Sequence, residues 1–464
     1  MEPPHRSRSR RSRTLPRSRT SPADGEANAS RRRFLGATAT ATAAATGLAG
    51  CVDLPNTLGG LVNGSEDVSL FQNDLRRLGY YPDEVVPDAV HVDWTFPINY
   101  VGHTAAKSSP LPTPDGDTIL FAGDTGRVHA YTPAGELRWT TQTGATELGF
   151  HGSPAIVGDT AYIGGYDGDL YALDTESGDI VWRTRSAELD GALAIGSSPA
   201  YHDGTLYVIS EFAPPSSGAL WAIDPNTGEP TWSDDRIWGQ AHPSPTIDLD
   251  AGRILAGSND GAVYCWEFPE LEFSWQYQAD ADGEESADGA FRKGAQIKGT
   301  VAAHDGYGYV GSWDNNFYCL DLADGEEEWV FETGASVMSN PAVDVEEDIV
   351  YMGSDDNYVY ALDAKSGEEL WSTNVNGRVI GALTVTAETV LAGSYDSYLY
   401  ALDKETGDRR WRVENRGRVT SAPVPVDGRI YYAERGVISN YYDDDEETTT
   451  LEEPGHAYCL VADD

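Results

Sequence analysis

Two carboxylate-rich runs are the most obvious candidates for chemistry in this sequence: DADGEESADG at 280–289 and YYDDDEETTTLEE at 441–453. Carboxylate oxygens are the ligands that calcium prefers, so each run is a candidate cation site. Neither has the spacing of an EF-hand loop, because Glu285 stands at the sixth position, where that loop needs glycine. In a strongly acidic chain we therefore interpret both runs as solvated loops and assign no metal ligand to them.

Three histidines, His103, His151 and His242, are the other candidate metal ligands. Imidazole nitrogens bind zinc and other transition metals, but no familiar ligand spacing relates these three residues. Ordinary polar contacts are the favoured interpretation, and a metal site built from two or three of the histidines is the alternative.

No arrangement of catalytic residues is recognisable. The sequence has no Ser-His-Asp order, no phosphate-binding loop and no dinucleotide fingerprint. We therefore assign no catalytic and no cofactor-binding residue, and the sequence leaves open whether the protein is an enzyme.

Positive charge is scarce, and its placement is the remaining chemical signal. The chain has 75 acidic and 32 basic residues, and five of the basic residues are lysines. Segments that lead into short apolar strands carry six cationic residues: Lys107, Arg292, Lys293, Lys298, Arg378 and Arg418. If the fold brings these segments together, they form a basic patch suited to an anionic ligand or a partner segment. The alternative is that they are scattered solubilising side chains.

An internal repeat supplies the elements that would position these residues. YALDAKSGEELW at 360–371 recurs as YALDKETGDRRW at 400–411, and YALDTESGDIVW, WAIDPNTGEPTW and YCLDLADGEEEW are further copies. Tryptophans spaced 40 to 54 residues apart mark the end of each repeat: Trp94, Trp139, Trp182, Trp232, Trp275, Trp329, Trp371 and Trp411. Self-similarity at this period is typical of repeat architectures.

Each repeat unit predicts four short strands, as in SPAIV, DTAYIGG, DLYALD and DIVWRT between residues 153 and 184. Four strands in a unit of about 43 residues are typical of a β-propeller blade. The sequence therefore predicts an all-β fold, an eight-bladed β-propeller of four-stranded antiparallel blades. The last unit has only three strands, and the segment VDWTF around Trp94 supplies the fourth, so the N-terminal strand closes the ring.

The pattern A-L-D-x-x-[ST]-G-x-x-x-W resembles the tryptophan-docking repeat of the pyrroloquinoline-quinone (PQQ) type propellers over residues 90–464. That family includes quinoprotein alcohol dehydrogenases and BamB-like assembly lipoproteins. The resemblance implies that the eight tryptophans pack between neighbouring blades. It also implies two functions. One is a binding or assembly scaffold, and the alternative is a PQQ-dependent oxidoreductase with a calcium site and an aspartate base.

The cysteines weigh against the oxidoreductase. Cys265, Cys319 and Cys459 stand at the repeat position that alanine holds elsewhere, so we expect buried thiols that are too far apart for disulfides. The large quinoprotein alcohol dehydrogenases that the sequence resembles use two adjacent cysteines beside the cofactor, and this chain has no such pair. We therefore expect a scaffold without a cofactor, and keep PQQ with calcium as the alternative.

The N-terminal region predicts export and lipid anchoring. The segment SRRRFL matches the twin-arginine export signal through Arg31, Arg32, Phe34 and Leu35. The segment LAGC, which ends at Cys51, resembles a lipobox, so we expect cleavage before Cys51 and a lipid on its sulfur. The protein would then lie at the outer face of the cytoplasmic membrane, bound to it through Cys51.

The predicted domains follow from these signals. A twin-arginine lipoprotein signal peptide with an Arg/Ser-rich extension covers residues 1–50, a lipidated tether covers 51–89, and the propeller covers 90–464.

The composition indicates the environment of the protein. A net charge of −43 with so few lysines resembles the proteins of salt-loving archaea, whose acidic surfaces stay soluble in molar salt. Nucleic-acid binding needs a basic surface, so we exclude it as a function.

The insertions in the repeat indicate a binding face. EFAPPSSG at 211–218, the run 441–453 and the stretch 276–296 all fall on the propeller face that carries the connections between blades. Because insertions confined to one face usually mark a binding surface, we expect a protein or anionic-ligand partner there.

Overall fold

The computed structural model describes residues 67–101, 108–213, 216–279, 294–439 and 450–463. The predicted signal peptide with Arg31, Arg32, Phe34 and Leu35, and the lipidation site Cys51, lie outside these residues.

The predicted eight-bladed propeller is confirmed. Eight antiparallel four-stranded sheets form the blades, and two short strands extend two of them. Three strands precede blade 1: β1 (Val68–Ser69), β2 (Tyr80–Tyr81) and β3 (Val90–Asn99). Blade 1 contains β4 (Leu111–Pro112), β5 (Ile119–Ala122), β6 (Arg127–Tyr131) and β7 (Leu137–Gln142), and blade 2 contains β8 (Ala155–Val157), β9 (Thr160–Gly164), β10 (Leu170–Asp174) and β11 (Ile180–Thr184). Blade 3 contains β12 (Ala200–His202), β13 (Thr205–Phe212), β14 (Ser217–Ile223) and β15 (Pro230–Trp238). Blade 4 contains β16 (Thr246–Asp248), β17 (Arg253–Gly257), β18 (Ala262–Glu267) and β19 (Phe273–Gln278).

Blades 5 to 8 continue the same order from the channel outward. Blade 5 contains β20 (Ala302–His304), β21 (Tyr307–Gly311), β22 (Asn316–Asp321) and β23 (Glu327–Glu332), and blade 6 contains β24 (Ala342–Asp344), β25 (Ile349–Gly353), β26 (Tyr358–Asp363) and β27 (Glu369–Asn374). Blade 7 contains β28 (Thr384–Thr386), β29 (Thr389–Gly393), β30 (Tyr398–Asp403) and β31 (Arg409–Glu414). Blade 8 contains β32 (Val424–Val426), β33 (Arg429–Ala433) and β36 (Gly455–Ala462), with the hairpin of β34 (Val437–Ser439) and β35 (Thr450–Glu453) inserted between β33 and β36. Within the described residues the one helical element is a 3-10 turn at Ser186–Glu188.

Blade 8 closes the ring as the sequence predicts. Strand β36 pairs with β33 on one side and with the N-terminal β3 on the other, so the order across this blade is β32, β33, β36, β3. The register places Trp94 opposite Cys459 and Val90 opposite Ala462. The seam between the two ends of the chain is therefore an ordinary antiparallel pairing inside one blade.

The repeat tryptophans join each blade to the next. Seven of them donate the indole N–H to a backbone carbonyl of the following unit at 2.8 to 3.1 Å: Trp94 to Pro133, Trp139 to Thr175, Trp182 to Pro225, Trp275 to Leu322, Trp329 to Ala364, Trp371 to Lys404 and Trp411 to Pro87. At the eighth junction, Trp232 and Leu271 both pack on the core cluster shared by blades 3 and 4. Leu271 stands where other repeats have glycine.

A second set of hydrogen bonds links the blades at the channel. The N–H of a residue just before one innermost strand donates to a side-chain oxygen of the next blade. These pairs are Ser109 to Ser153, Ser153 to Ser198, Ser198 to Ser244, Ser244 to Thr300 and Thr300 to Asn340, at 2.7 to 3.1 Å. Across the seam, the N–H of Ala422 donates to Ser109 Oγ at 2.8 Å. Small hydroxyl side chains at this position therefore fix neighbouring blades around the channel.

Residues 67–89, which the sequence assigned to a tether, are instead part of the propeller unit. Strand β1 adds to the inner edge of blade 2, and β2 pairs in parallel with β28 of blade 7. Between them the chain crosses the channel, and we call residues 67–81 the plug. The apolar side chains of Leu70, Leu75 and Leu78 explain the difference, because all three are buried in the cores of the blades.

Backbone hydrogen bonds fix the plug to the inner edges of blades 4 to 7. The carbonyls of Leu75, Arg76, Leu78 and Gly79 accept from the N–H groups of Ile247, Ala303, Val343 and Val385, at 2.8 to 2.9 Å. These N–H groups belong to innermost strands, which would otherwise expose them to the channel.

Arg77 is the central side chain of the plug, and it is fully buried. Its guanidinium donates to the carbonyl oxygens of Phe71 at 2.9 Å, Pro245 at 3.1 Å and Pro199 at 3.2 Å. Burial lowers the pKa of Arg77 to about 10, and the nearby Asp74 carboxylate opposes that shift. The group therefore stays charged at neutral pH and binds blades 3 and 4 to the plug.

The three described cysteines are free and buried, as their alanine-like repeat position predicts. Burial raises the pKa of the Cys459 thiol to about 11. These thiols pack as small apolar groups in the blade cores.

Candidate functional site

The two faces of the propeller differ. The insertion face carries the connections between blades and the loops between the second and third strands of each blade. The turn face carries the short turns between first and second strands and between third and fourth strands. On the insertion face the central channel opens as a funnel of about 1090 Å³. It is lined by residues that lead into innermost strands and by residues at the ends of second strands.

The plug closes the funnel. Phe71 lines its floor and packs with Ala382 and Ala422 in a small apolar cluster. At the other end of the plug, the carbonyl of Asp67 accepts a hydrogen bond from Gly158 in the β8–β9 turn, at 2.8 Å. The chain therefore enters the propeller at the turn face, and the funnel ends blindly inside the molecule.

One residue from each blade occupies the same place around the funnel, at the end of the second strand. We call these eight residues the funnel ring: Asp124, Tyr166, Glu211, Asn259, Trp313, Asp355, Tyr395 and Arg435. All except Asp124 and Asn259 line the funnel. The blades repeat each other closely elsewhere, but here they present acidic, amide, aromatic and basic side chains. This variety at one repeat position is what a specific binding site requires.

Glu211 is the most deeply buried carboxylate in the funnel wall, with 1% exposure. His242 Nδ1 lies 3.0 Å from Glu211 Oε1 and 3.1 Å from the hydroxyl of Tyr166. Burial and the Glu211 carboxylate raise the pKa of Tyr166 well above its usual value. Gly196 leaves room for this cluster, because a β-carbon there would lie 2.8 Å from Glu211 Oε1. The hydroxyl of Tyr166 is therefore the hydrogen-bond partner of the imidazole, and the Glu211 carboxylate lies close to both.

His151 adds a second imidazole to this wall. Its ring centroid lies 3.5 Å from that of Tyr166, with the planes inclined by 40°. Tyr166 thus stands between the two histidines that the sequence proposed as metal ligands, and His103 lies outside the described residues. Within the described ranges, no group of three or more His, Cys, Asp or Glu side chains is arranged to hold a metal ion.

Lys298 lies across the funnel surface of Trp313. Its ammonium is 4.0 Å from the centroid of the indole ring, which is cation–π geometry. Burial lowers the pKa of Lys298, and the attraction of Glu211 works in the opposite direction. The face of Trp313 is therefore covered by a cation of the protein itself.

Arginines from blades 7 and 8 form the opposite wall. Arg378 approaches Asp355 at 3.7 Å. Arg435 is buried, and it donates to the hydroxyl of Tyr395 at 2.5 Å and to Thr420 Oγ1 at 3.3 Å. Arg418 lies 4.8 Å from the centroid of the Tyr395 ring.

The proposed basic patch is therefore only partly visible. Lys298 and Arg378 line the funnel, and Arg418 lies beside it. Lys107, Arg292 and Lys293 lie outside the described residues. The described funnel lining includes acidic residues as well, namely Glu147, Glu211 and Asp355, so its charge is mixed.

Most of the funnel ring was missed from the sequence. Glu211, Trp313 and Arg435 have no motif around them, and the similarity between repeats does not reveal them. The signal that could have revealed the funnel ring is variation between repeats. One repeat position, which follows a glycine or serine in seven of the eight blades, has a different kind of side chain from blade to blade.

This blind funnel inside a ring of tryptophan-docked blades defines a PQQ-like β-propeller. A family model described as outer membrane protein assembly factor BamB matches residues 91–331 and 334–441. The chain belongs to this family.

Individual relatives are distant. BamB of Yersinia pestis is 25% identical over 185 residues, which cover 36% of this chain and 44% of the relative. This chain thus matches less than half the length of that curated relative. The crystal structure of BamB from Moraxella catarrhalis gives a TM-score of 0.58 at 18% identity, over 80% of this chain and 99% of that chain. Quinohemoprotein alcohol dehydrogenase from Comamonas testosteroni gives 0.66 at 15% identity, over 84% and 80%. Both structural likenesses show the fold alone.

The funnel does not fit PQQ and calcium as it stands. A calcium ion takes six to eight oxygen ligands, and among the described residues, which include the carboxylates Glu147, Glu211 and Asp355 of the lining, no group of three or more side chains is arranged to hold a metal ion. One face of the Trp313 ring is covered by Lys298, so a planar quinone cannot stack on that face.

Among the described residues, no helix is long and apolar enough to span a membrane.

Proposed function

We propose that this protein is a lipid-anchored, extracytoplasmic binding scaffold of a haloarchaeal type, which holds a protein partner on the insertion face. The observation that carries the proposal is the blind funnel, with one chemically different residue from each blade around it. A scaffold needs a rigid surface with varied chemistry, and eight docked blades supply the rigidity.

The rim of the funnel beside blade 3 suits a protein partner. Leu193 is 52% exposed and Trp238 is 58% exposed, and both lie on the insertion face. Large exposed apolar side chains next to buried polar groups are typical of protein–protein interfaces, where aromatic residues are enriched. The acid and histidine cluster of Glu211 and His242 lies directly inside this rim.

The anchor fits the same arrangement. We infer export through Arg31 and Arg32 and a lipid on Cys51, and Asp67 enters the propeller at the turn face. An anchor on Cys51 would hold the propeller at the membrane surface, where a partner could reach it.

Site-specific crosslinking tests the binding face. A photoreactive amino acid at Leu193 or Trp238 should give a defined protein adduct in membranes of cells that produce the protein. The matched control is Glu176, an exposed residue in the β10–β11 turn of the turn face. Adducts that are absent at the rim, or equally strong at Glu176, would reject the proposal.

The anchor has its own test. In a haloarchaeal host, the double variant Arg31→Lys/Arg32→Lys should leave the protein in the cytoplasm. Cys51→Ser should still be exported but should be released from the membrane fraction. If both variants remain membrane-bound, the predicted lipid anchor on Cys51 is wrong. The crosslinking experiment tests the binding face independently of this result.

An oxidoreductase is the second candidate, and the Glu211–His242 pair favours it. A buried carboxylate within 3.0 Å of an imidazole nitrogen beside a cavity is an arrangement found at general bases. Titration of PQQ, with and without calcium, followed by tryptophan fluorescence decides this point. Saturable, calcium-dependent binding that is lost in Glu211→Gln would support the enzyme over the scaffold.

A further inference from the structure

Lys298 brings a primary amine to the funnel wall, and its surroundings differ from those of the other described lysines. Lys365 and Lys404 each have their Nζ atom 2.6 Å from an aspartate oxygen. The Nζ atom of Lys298 lies instead over the Trp313 ring, 4.0 Å from its centroid. Within the described part of the chain, no carboxylate forms an ion pair with Lys298. Its amine is therefore the one that a ligand in the funnel can reach without breaking an ion pair.

The protonation of this amine also differs from that of an exposed lysine. Burial lowers the pKa of Lys298, although Glu211 and the indole face favour the charged form. The pKa of Lys365 is raised, because its ammonium group donates a hydrogen bond to Asp348. At neutral pH a larger fraction of the amine is therefore unprotonated at Lys298 than at Lys365. Only the unprotonated amine is a nucleophile, and partly desolvated lysines are typical of sites that form Schiff bases.

The repeat places different side chains on the two sides of Lys298. This residue stands two positions before Thr300, which links blades at the channel, and the same position is held by His242 in blade 4, Met338 in blade 6 and Ile380 in blade 7. All of them line the funnel except Thr300's backbone partner in the next blade. The amine therefore has an imidazole on one side and apolar side chains on the other.

We propose that the funnel binds a small apolar aldehyde, which condenses with the amine of Lys298 to form a Schiff base. The nitrogen attacks the carbonyl carbon and gives up a proton while the carbonyl oxygen gains one, which yields a carbinolamine. This intermediate loses its oxygen as water when the C=N bond forms, so the step needs no oxidant and no reductant.

The neighbouring side chains suit both parts of this reaction. His242 has its Nδ1 atom 3.1 Å from the hydroxyl of Tyr166, and an imidazole in such a chain of polar groups can exchange the protons of the condensation. Met338 and Ile380 offer a surface on which the apolar part of the aldehyde can pack.

This inference goes beyond the proposed scaffold, because condensation with an aldehyde needs no partner protein. The variants below leave the blade 3 rim and the predicted anchor intact. Failure of the crosslinking experiment and failure of this one are therefore separate results.

Reductive trapping tests the proposal on the full chain in molar KCl. Benzaldehyde is added with cyanoborohydride, which reduces a Schiff base to a stable amine, and mass spectrometry locates the modified lysines. At neutral pH the adduct should form at least about threefold faster at Lys298 than at Lys365, because a lower pKa leaves more free amine. The rate at Lys298 should level off as the benzaldehyde concentration rises, since the aldehyde binds in the funnel before it reacts.

Three variants separate the site from general lysine reactivity. Lys298→Arg keeps a cation beside the Trp313 ring but cannot form a Schiff base, so the fast modification should disappear. Met338→Gln should raise the benzaldehyde concentration for half-maximal rate at least about twofold, because it removes apolar surface. Asp348→Asn is the matched control, and it should speed the reaction at Lys365 without changing that at Lys298.

Glyoxylate, an aldehyde without an apolar part, should show less preference for Lys298 than benzaldehyde does. Equal preference of the two aldehydes would overturn the assignment of an apolar ligand. Equal rates at Lys298 and Lys365 in the unchanged protein, or a rate at Lys298 that stays proportional to the benzaldehyde concentration, would overturn the site itself.

Discussion

Gly178 of blade 2 lies flat against the indole ring of Trp139 in blade 1. A β-carbon at Gly178 would come within 2.5 Å of Trp139 Cδ2, and its φ is +76°. The same relation recurs at other junctions, where the pairs are Gly135 with Trp94, Gly228 with Trp182, Gly325 with Trp275, Gly367 with Trp329 and Gly407 with Trp371. The repeat glycine therefore serves the turn through its backbone and the tryptophan through its missing side chain.

Replacement of this glycine should separate the two roles. Gly178→Ala should reduce the free energy of unfolding by about 1–2 kcal/mol for the left-handed backbone, and by about 1–3 kcal/mol more for overpacking against Trp139. Gly204→Ala is the matched control, because Gly204 has φ +75° and nothing within 4 Å of its added β-carbon. Denaturant unfolding measures both variants. Equal losses would mean that the contact with Trp139 has no energetic weight.

The stability of the plug should depend on the side chain of Arg77 more than on that of Arg76. Arg77→Lys leaves buried carbonyls of Phe71, Pro199 and Pro245 without their donor, and each unpaired buried group costs about 1–3 kcal/mol. We expect a loss of about 2–5 kcal/mol in the free energy of unfolding for Arg77→Lys. Arg76→Lys should cost less, because the ammonium group keeps the positive charge beside Asp74, 3.5 Å from Arg76 Nε. Thermal unfolding curves of the two variants check this. Similar curves would show that the hydrogen bonds of Arg77 do not stabilise the plug more than the contact of Arg76 does.

His129 should make the protein sensitive to mild acid. It is buried in blade 1 with Nδ1 3.0 Å from Thr140 Oγ1, and burial lowers its pKa to about 4. An unfolded histidine titrates near 6.5, so only the unfolded chain takes up this proton between about pH 6.5 and 4. The contribution to stability is therefore intact above about pH 6.5 and is lost as the pH falls to about 4, by at most about 3 kcal/mol.

The variant His129→Gln should flatten this part of the pH profile of unfolding. His91→Gln is the control, since His91 is half-exposed at the seam. If the two variants show the same slope between about pH 6.5 and 4, burial of His129 is not the cause of the acid sensitivity.

Salt should stabilise the fold. With a net charge of −43, repulsion between surface carboxylates opposes the compact state, and the screening length falls to about 3 Å at 1 M salt. We expect the midpoint of thermal unfolding to rise steadily between about 0.2 and 3 M KCl. The triple variant Glu368→Gln/Glu405→Gln/Asp408→Asn, on the turn face, should rise less steeply. An unchanged slope in this variant would assign the salt effect to something other than charge repulsion.

The repeat made the blades and the seam predictable from sequence, because a tryptophan at fixed spacing can dock only on a neighbouring copy of itself. The same regularity concealed the functional features. Arg378 and Arg418 share a repeat position and were found, but Arg435 occupies a position at which each blade differs. The plug was missed because Leu70, Leu75 and Leu78 belong to no repeat and are buried only through contacts with blades far along the chain. Such long-range contacts leave no periodic signal in the sequence.

The pairing of β3 with β36 in blade 8 also determines when the propeller can complete its folding. Val90 pairs with Ala462, so the outer strand of the last blade is synthesised before blades 1 to 7, and its partner strand is synthesised after them. Pairings across such long separations form slowly, because the loop must close before the contacts can stabilise it. Without β36, blade 8 would stay open, and the edges of β33 and β3 could each pair with a second copy of the protein.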